Sequence, residues 1–523
     1  MNRIFHHGLV LLANALQRWF LRHPLFYKAL FADPLSGARW RVGAWRAWVN
    51  FQQAYRTVPA YRDFVDAHGG PPALRYRDGL PDLAVLPETD KVTYVQRYDH
   101  EARCVGGRLP RRGVVVDESS GSSGRATSWV RGPEERWATK QMLQLSFRNA
   151  MGDQPCFVIN AFALGAWATG LNVSLSLSDI CIMKSTGPDL DKIVHTLQEF
   201  GPGYDYVVTG YPPFLKTLGD DRRIDWGEFR VRAIFGGEAM SEPMRRYLLR
   251  SFTQVVGSYG ASDLEINMAA ESPFTIRLRQ EMERNPTLRE RLTQTGHGAL
   301  PMVLQYNPLV YHLEANPKGE LLVTLTRPSN IAPKIRYNIH DLGHVARYEN
   351  VATVLAELGL THLIAETQPI RLPLLFIYGR SDLSIDYYGA NVTPDSVGEI
   401  LIGLDELAPH LDSFRLISRE DQHHDKTLEV AIALREGCDP ADLPGPGIAQ
   451  QLFAQLGKVN GDFRNAYCNT ATQAQLPRVT LHATGTGPFA GENRIKHSYV
   501  DRVPYHQAAT AGAHDAGQLF GRR

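Results

Sequence analysis

A run of small hydroxyl and glycine residues stands between two β-branched segments near residues 114–131. It comprises Ser119, Ser120, Gly121, Ser122, Ser123 and Gly124, and Arg125 follows it. Backbone N–H groups and hydroxyls in such a bend can surround a phosphate, and the guanidinium of Arg125 adds a forked cation. The same composition is typical of a flexible linker, so the run alone leaves both interpretations open.

The spacing within this run excludes one familiar phosphate-binding motif. A P-loop NTPase requires four residues between its two motif glycines and a lysine directly after the second glycine. Gly121 and Gly124 are separated by only two residues, and Arg125 takes the place of the lysine. The kinase and GTPase interpretation therefore fails.

Four later segments carry residues suited to nucleotide chemistry. They are GGEAMSE (236–242), YGASD (259–263), RYNIHDLG (336–343) and GRSDLSIDYYGANVTP (379–394). The first follows a strand-like apolar run, and ligands of α/β proteins bind at the carboxyl ends of strands. A carboxylate in the second suits a hard cation that bridges phosphates. Taken singly, each segment is also compatible with a plain turn, a helix N-cap or a surface ion pair.

Taken in order, the five segments resemble the motifs of the adenylate-forming superfamily, most closely its phenylacetate–CoA ligase family. SSGSSGRAT (119–127) is similar to that family's phosphate loop, and VPAYRDFVDAHG (58–69) with LPETDK (86–91) is similar to its N-terminal signature. The resemblance covers about the whole chain, loosely at both ends. It implies that ATP and Mg²⁺ convert a carboxylic acid into acyl-AMP, and that the acyl group then passes to a thiol, which by family precedent is that of coenzyme A.

The resemblance also implies roles for individual residues. Those around the nucleotide are Gly237, Glu238, Tyr259, Gly260, Ser262, Asp341 and Arg380. Asp341 corresponds to the aspartate that binds the ribose, Asp263 to a glutamate that binds Mg²⁺, and Asp382 to the hinge between two domains. Asn338 and His340 replace the family's arginine and glycine just before Asp341, and they are expected to alter the backbone there.

The end of the chain is expected to supply a catalytic cation. GENRIKHSYV (491–500) resembles the closing segment in which the family places a lysine between the carboxylate and the α-phosphate. The simplest alignment puts Arg494 at that position and Lys496 two residues later. In a strand, residues two apart share a face, so Lys496 can serve instead.

The acid itself is expected to meet an apolar, aromatic wall. INAFALGAWATG (159–170) and TGYPPF (209–214) correspond to pocket-lining segments of the family and offer Phe162, Trp167 and Tyr211. Core packing accounts for the same residues equally well. The paired histidines of DQHHDK (421–426) are expected to be solvated surface and not a metal site.

Composition narrows the class of protein. The 523 residues are 43% apolar and 21% charged, with a net charge of +1, which gives no basic footprint for nucleic acid. Five cysteines form no CxxC pair and predict free thiols in a reducing compartment, the cytoplasm. The N-terminal apolar run GLVLLANAL is shorter than the roughly 20 residues that span a bilayer, so an amphipathic helix is expected and membrane association is not. The oligomeric state is not readable.

The pattern of short β-branched runs alternating with helical segments predicts an α/β fold. We expect a large layered N-terminal domain with mostly parallel sheets and a β-rich subdomain near 300–350, and a small α+β C-terminal domain. The predicted bounds are 1–378 for the large domain, 379–382 for a hinge, 383–505 for the small domain and 506–523 for a flexible tail.

The sequence therefore predicts an ATP-dependent acyl ligase that acts on an aromatic or other apolar acid. An amide synthetase or a ligase that acylates a carrier protein would share the first step and change the acceptor. A lapsed relative that only binds nucleotide, or acts as a scaffold, is the alternative from another class, because Arg125, His340 and Arg494 depart from the family pattern.

We predict that Lys496→Ala abolishes acyl-AMP formation but leaves thiol transfer from preformed acyl-AMP largely intact, because the lysine is needed only while the carboxylate attacks the α-phosphate. Pyrophosphate release measures the first step and thioester formation from added acyl-AMP the second. If Arg494→Ala gives this result and Lys496→Ala does not, the alignment of the closing segment is wrong.

Overall fold

The computed structural model describes residues 8, 10–12, 14–16, 33–119, 127–293, 300–381, 384–421, 423–471, 475–490 and 500–503. Its helices are α1 Ser36–Thr57, α2 Pro59–Ala67, α3 Pro133–Met151, α4 Ala168–Leu177, α5 Leu190–Phe200, α6 Pro212–Gly219, α7 Glu242–Leu248, α8 Pro273–Arg284, α9 Pro286–Leu292, α10 Tyr348–Glu357, α11 His362–Thr367, α12 Pro394–Ile402, α13 Gly445–Val459 and α14 Gly461–Asn465. Within these ranges no helix is both long and apolar enough to cross a membrane.

The strands before residue 381 form two hairpins and one large sheet. They are β1 Tyr76–Arg77, β2 Leu80–Pro81, β3 Val115–Ser119, β4 Thr127–Arg131, β5 Phe157–Asn160, β6 Ile182–Ser185, β7 Asp205–Gly210, β8 Arg230–Phe235, β9 Gln254–Tyr259, β10 Ala269–Ala270, β11 Met302–Tyr306, β12 Tyr311–Ala315, β13 Glu320–Leu325, β14 Tyr337–Ala346 and β15 Leu374–Arg380. The hairpins are β1–β2 and β3–β4, and the other strands join in one sheet.

The large sheet has a parallel half and an antiparallel half. Its order is β12-β13-β14-β15-β11-β10-β9-β8-β7-β5-β6, and the strands β6, β5, β7, β8 and β9 pair in parallel. All four residues of β5 are buried, as expected for a parallel strand covered on both faces. The carboxyl ends of these parallel strands point to one edge, and the two segments 236–242 and 259–263 begin there.

Helix α5 shows how the covering helices are specified. The carboxylate of Asp189 accepts a hydrogen bond from Lys192 N and caps the start of the helix. Ile193, Val194 and Leu197 lie on one face and are buried, which is the i, i+1, i+4 pattern of an amphipathic helix that packs on a sheet.

The residues from 384 onward form a smaller unit, which we call the C-terminal unit (384–421, 423–471, 475–490 and 500–503). Its strands are β16 Ile385–Tyr387, β17 Ala390–Val392, β18 Leu411–Glu420, β19 Lys426–Leu434, β20 Arg478–His482 and β21 Val500–Val503. The hairpin β16–β17 stands apart from a four-stranded sheet of order β20-β19-β18-β21. This unit has its own apolar core between that sheet and helices α12 to α14.

The layered α/β class is thus confirmed. The strand-rich segment near 300–350, predicted as a β-rich subdomain of the large domain, supplies antiparallel strands β11, β13 and β14 of the large sheet. The reason is that β15 pairs with β11 on one side and with β14 on the other. Hydrogen bonding therefore continues from β11 to β14 without a break in the sheet. The domain bounds given above remain predictions, and the expected hinge residue Asp382 lies outside the described residues.

Helix α1 packs across the antiparallel half of the large sheet. Trp45, Trp48 and Phe51 are buried on its inner face. Gly43 lies on the same face, and a Cβ atom at this position would overlap the carbonyl oxygen of Pro308. The helix can approach this closely only because residue 43 has no side chain.

We predict that Gly43→Ala destabilises the protein by about 1–3 kcal/mol, because the new methyl group must push the helix away from Pro308. This loss exceeds the gain of up to about 1 kcal/mol that alanine brings to a helix interior. Urea unfolding measures the difference, and Gly37→Ala, where a Cβ would meet nothing within 4 Å, is the matched control. Equal destabilisation of both variants would contradict this account.

Candidate active site

Asp341 lies where the large sheet ends nearest the C-terminal unit. It is buried in β14 and is the register partner of Arg380, the last residue of β15. Tyr259 OH donates a hydrogen bond to Asp341 Oδ2 at 2.6 Å, and Arg380 Nη1 lies 3.3 Å from Oδ1. Burial, reinforced by the Asp341 charge, raises the pKa of Tyr259 well above its usual value. The tyrosine therefore stays a neutral donor, and Tyr259 and Arg380, which come from two other segments, meet at the carboxylate of Asp341.

Glu320 anchors the backbone around Asp341, and sequence analysis did not identify it. Its carboxylate accepts hydrogen bonds from Asn338 Nδ2 at 2.9 Å, Asn316 Nδ2 at 2.9 Å and Ser381 Oγ at 2.5 Å, and lies 3.3 Å from His340 Nδ1. Although burial raises its pKa, these contacts together lower the pKa of Glu320 to about 2. The carboxylate is consequently ionised throughout the neutral range.

His340 adopts a backbone conformation that glycine usually supplies. Its φ is +62°, in the left-handed region that most side chains avoid. His340 N donates to Asn338 Oδ1 at 2.8 Å, while its imidazole lies beside Glu320. The side chains of Asn338 and Glu320 therefore support a backbone conformation at residue 340 that glycine adopts more readily than histidine.

Glu238 joins the large unit to the C-terminal unit. It lies in the turn between β8 and α7, and its side chain is fully buried. Gly389 N donates to Oε1 at 2.6 Å, and Lys426 Nζ donates to Oε2 at 2.7 Å. Both donors belong to the C-terminal unit, the first at the β16–β17 turn and the second at the start of β19.

Asp386 adds a further carboxylate to this junction. Removal from water raises its pKa to about 6, with Glu238 and Asp341 adding like charge and Lys426 and Arg380 opposing them. For Lys426, burial lowers the pKa, but Glu238 and Asp386 outweigh this and raise it above its usual value. Lys426 is therefore a permanent cation between the two carboxylates.

The rings of Phe162 and Tyr211 lie together beside this junction. The rings of Phe162 and Tyr211 meet edge to face at 5.3 Å. A Cβ on Gly237 or on Gly389 would come within 2.6 Å of the Tyr211 ring, so the ring lies between two glycines from different units. Trp167 likewise faces Gly461, where a Cβ would lie 3.7 Å from the indole. The expected pocket wall is thus bordered by the C-terminal unit.

The hairpin β3–β4 carries the serine-rich run. Ser119 is its only cradle residue that the structure describes, since Ser120 to Arg125 lie outside the described residues. Lys91 Nζ lies 3.4 Å from Ser119 Oγ. Asp90 accepts a hydrogen bond from Thr93 N and caps the helical turn that holds Lys91. The sequence did not indicate that Lys91 would reach the base of the serine-rich run.

Asp263, the expected metal ligand, follows β9. Tyr337 OH donates to its Oδ2 at 2.7 Å, and its neighbour Ser262 accepts a hydrogen bond from Arg131 through its carbonyl oxygen. At Gly260 a Cβ would lie within 2.6 Å of the backbone of the same turn, so the YGASD turn requires glycine. No group of three or more metal-ligating side chains occurs in the described part of the chain. Asp263 therefore offers a single carboxylate, and Mg²⁺ bound through one carboxylate and substrate phosphates is common.

A buried lysine lies close to Asp263. Lys334 is 4% exposed, and its ammonium lies 4.3 Å from the ring centre of Trp129 in β4 and 5.3 Å from that of Tyr337. Burial lowers its pKa to about 7, helped by Arg131 and Arg103 and opposed by Asp263. Nothing in its sequence context predicted a buried position.

The histidine segment 421–426 differs from expectation. His423 is exposed, but His424 is 7% exposed, and its Nδ1 lies 2.7 Å from Glu420 Oε1. Its ring also contacts Tyr247 of the large unit at 5.2 Å. The expectation of a solvated surface was wrong for His424, because the C-terminal unit packs this segment against the large unit. The catalytic candidates Arg494 and Lys496 lie outside the described residues.

Known proteins are similar to this chain in sequence and in fold. The chain is 25% identical to a phenylacetate-coenzyme A ligase of Aromatoleum evansii over 394 residues, which cover 73% of this chain and 79% of the relative. It is 26% identical to that of Escherichia coli K12 over 396 residues, 74% of this chain and 80% of the relative. No protein-family model matches.

A solved structure of 2-hydroxyisobutyryl-CoA ligase, with 2-HIB-AMP and CoA in the thioesterification state, superposes with a TM-score of 0.64 at 14% identity and covers 92% of this chain and 93% of its own. An open conformation of the same ligase gives a TM-score of 0.50 at 13% identity, with 88% and 91% covered. The chain is thus similar in sequence to phenylacetate-coenzyme A ligases over most of its length, and it shares the fold of a solved acyl-CoA ligase. Of the residues that the superfamily motifs nominate, the structure brings Glu238, Tyr259, Asp341 and Arg380 to one junction.

We predict a pH-dependent stability difference between the wild type and Lys334→Met. The folded-state pKa of Lys334 is about 7 and the unfolded value is 10.5, so between these values the unfolded chain binds more protons. The free energy of unfolding of the wild type, relative to Lys334→Met, should therefore rise with pH from about 7 to 10, by at most about 1.4 kcal/mol per pH unit.

Below pH 7 both states of the wild type carry the proton, so the full cost of burying the ammonium remains and the difference becomes constant. Urea unfolding of both proteins from pH 6 to 10 measures it. Parallel stability curves over the whole range would contradict the lowered pKa. Lys458→Met, at an exposed helix position, is the control.

Proposed function

We propose that this protein joins a carboxylic acid to the thiol of coenzyme A in two steps, with ATP as the energy source. In the first step the carboxylate attacks the α-phosphate of ATP and displaces pyrophosphate. In the second the thiol displaces AMP from the mixed anhydride. The observation that carries this proposal is the junction at Asp341, where superfamily motifs far apart in the sequence meet at the carboxyl end of the parallel strands.

The nucleotide is proposed to bind along that edge. Asp341 has two oxygens suited to two ribose hydroxyls, and Arg380 lies beside it to contact the phosphate side. Both carboxylate oxygens of Asp341 already have hydrogen-bond partners, Tyr259 and Arg380. The ribose hydroxyls would therefore replace these partners when the nucleotide binds. The turns that hold Gly237 and Glu238, and Gly260 and Ser262, would flank the adenine.

The triphosphate is proposed to lie at the β3–β4 hairpin. Ser119 and the rest of the serine-rich run would supply N–H and hydroxyl donors, with Arg125 as a cation that stabilises the departing pyrophosphate. Asp263 would hold Mg²⁺, which neutralises phosphate charge when bound. Tyr337 fixes the orientation of that carboxylate through Oδ2 and leaves Oδ1 for the metal.

The acid is proposed to be apolar or aromatic, because Phe162, Trp167 and Tyr211 offer ring faces and edges at the same junction. The curated relatives are named for phenylacetate, which has this character. Lys496 or Arg494 would bring the catalytic cation from the end of the chain.

A panel of aryl, indolyl and fatty acids with ATP and Mg²⁺ tests the proposal. We expect pyrophosphate release with at least one of them and thioester formation when coenzyme A is added. Formation of an amide with an added amine, without thioester formation with coenzyme A, would identify an amide synthetase. The absence of pyrophosphate release with every acid would favour a lapsed, nucleotide-binding relative.

For the active acid, we predict that Asp263→Asn raises the Mg²⁺ concentration needed for half-maximal pyrophosphate release by about tenfold or more, because the amide keeps an acceptor for Tyr337 but loses the negative charge. Asp225→Asn, at an exposed turn, should leave the Mg²⁺ titration unchanged. An unchanged titration for Asp263→Asn would remove this residue from the metal site.

A further inference from the structure

The C-terminal unit contacts the large unit through a row of charged and polar side chains on β18, β19 and the turn between them. Lys426 pairs with Glu238 at 2.7 Å, and Asp425 pairs with Lys216 at 2.8 Å. Ser241 Oγ donates to Glu420 at 3.0 Å.

The carboxylate of Glu238 depends on the C-terminal unit for its partners. Its side chain is fully buried, and both of its hydrogen-bond donors in the described part of the chain, Gly389 N and Lys426 Nζ, come from that unit. If the unit moved away, the carboxylate would lose both donors. A buried charge without a partner is strongly unfavourable, far more so than the pair is favourable.

The neighbouring contacts make the docked position specific. Gly389 has φ +83° and lies against Tyr211, with no room for a Cβ. Lys426 is held cationic between Glu238 and Asp386. The ion pair therefore forms only when the β16–β17 turn reaches Tyr211, and a shift of the unit by the length of one side chain would break both contacts together.

We propose that Lys426 is a positioning residue for the second step: by pairing with Glu238 it holds the C-terminal unit in the arrangement that transfers the acyl group to the thiol. This rests on the proposed function. The higher similarity to the thioesterification state of the 2-hydroxyisobutyryl-CoA ligase than to its open conformation supports the same arrangement. Nothing in the sequence singled out Lys426, which stands in a polar segment that was expected to be solvated.

The chemistry of the transfer does not involve Lys426 directly. The thiol loses its proton to solvent, the sulfur attacks the acyl carbon, and a C–S bond forms. The bond between the acyl carbon and the phosphate oxygen breaks, and AMP leaves with that electron pair. Lys426 acts through Glu238 by keeping the two units together during thiol transfer. Loss of the lysine should therefore slow the second step without slowing the first.

The test is Lys426→Met, assayed in each step alone with phenylacetic acid, or with whichever acid of the panel is active. We expect acyl-AMP formation, measured by pyrophosphate release, to be unchanged or faster. Thiol transfer from preformed acyl-AMP to coenzyme A should fall by about tenfold or more. Lys426→Arg, which keeps the charge, should recover part of the loss. Lys458→Met, an exposed lysine of the same unit, should change neither step.

Small-angle X-ray scattering of the protein without ligands gives a readout that does not depend on any acid. We expect Lys426→Met to have a larger radius of gyration than the wild type and Lys458→Met, because the C-terminal unit is released. If Lys426→Met does not fold, Lys426→Gln takes its place in every assay. Equal scattering and an equal loss in both steps would overturn the positioning role. If the wild type activates no acid, the proposed function fails, yet the scattering comparison still decides whether Lys426 holds the two units together.

Discussion

The pairing of β14 with β15 is the constraint on which the candidate site depends. It sets Asp341 opposite Arg380, and it brings the backbone N–H of Ser381, which lies within the predicted hinge 379–382, to the carbonyl oxygen of His340 at 2.7 Å. Glu320 fixes this geometry from the adjacent strand by accepting hydrogen bonds from both sides of the bend. A single ionised carboxylate thus orients the proposed ribose-binding residue and the beginning of the connection to the C-terminal unit.

The junction between the two units is unusually rich in charge for a buried region. Glu238, Asp341 and Asp386 face Arg380 and Lys426, and removal from water raises the pKa of Asp386 even though both cations oppose this. Such a group of charges is costly to bury unless each has a partner. The arrangement is therefore sensitive to any movement of the C-terminal unit, and a bound nucleotide, which brings its own charge, would change it directly.

Not all departures from the superfamily pattern support a lapsed relative equally. Asn338 and His340 are both tied into the bend before Asp341 by hydrogen bonds, the first to Glu320 and to the backbone of residue 340, the second to Glu320. Arg125 and Arg494 lie outside the described residues, and their roles remain predictions. The structural argument for a degenerate site is therefore weaker at Asp341 than the sequence alone indicated.

The sequence by itself indicated the resemblance to the adenylate-forming superfamily, determined the α/β class and named Asp341, Tyr259, Glu238 and Arg380 as candidates, because each of these residues lies in a short motif whose spacing is local. Only the tertiary structure decided that the strand-rich segment joins the large sheet, that Glu320 anchors the bend, that Lys334 is buried and that Lys426 pairs with Glu238. These features depend on contacts between residues tens to hundreds of positions apart, such as the 188 positions between Glu238 and Lys426. Local pattern carries no information on which distant charges will meet, since burial and pairing are properties of the packed chain.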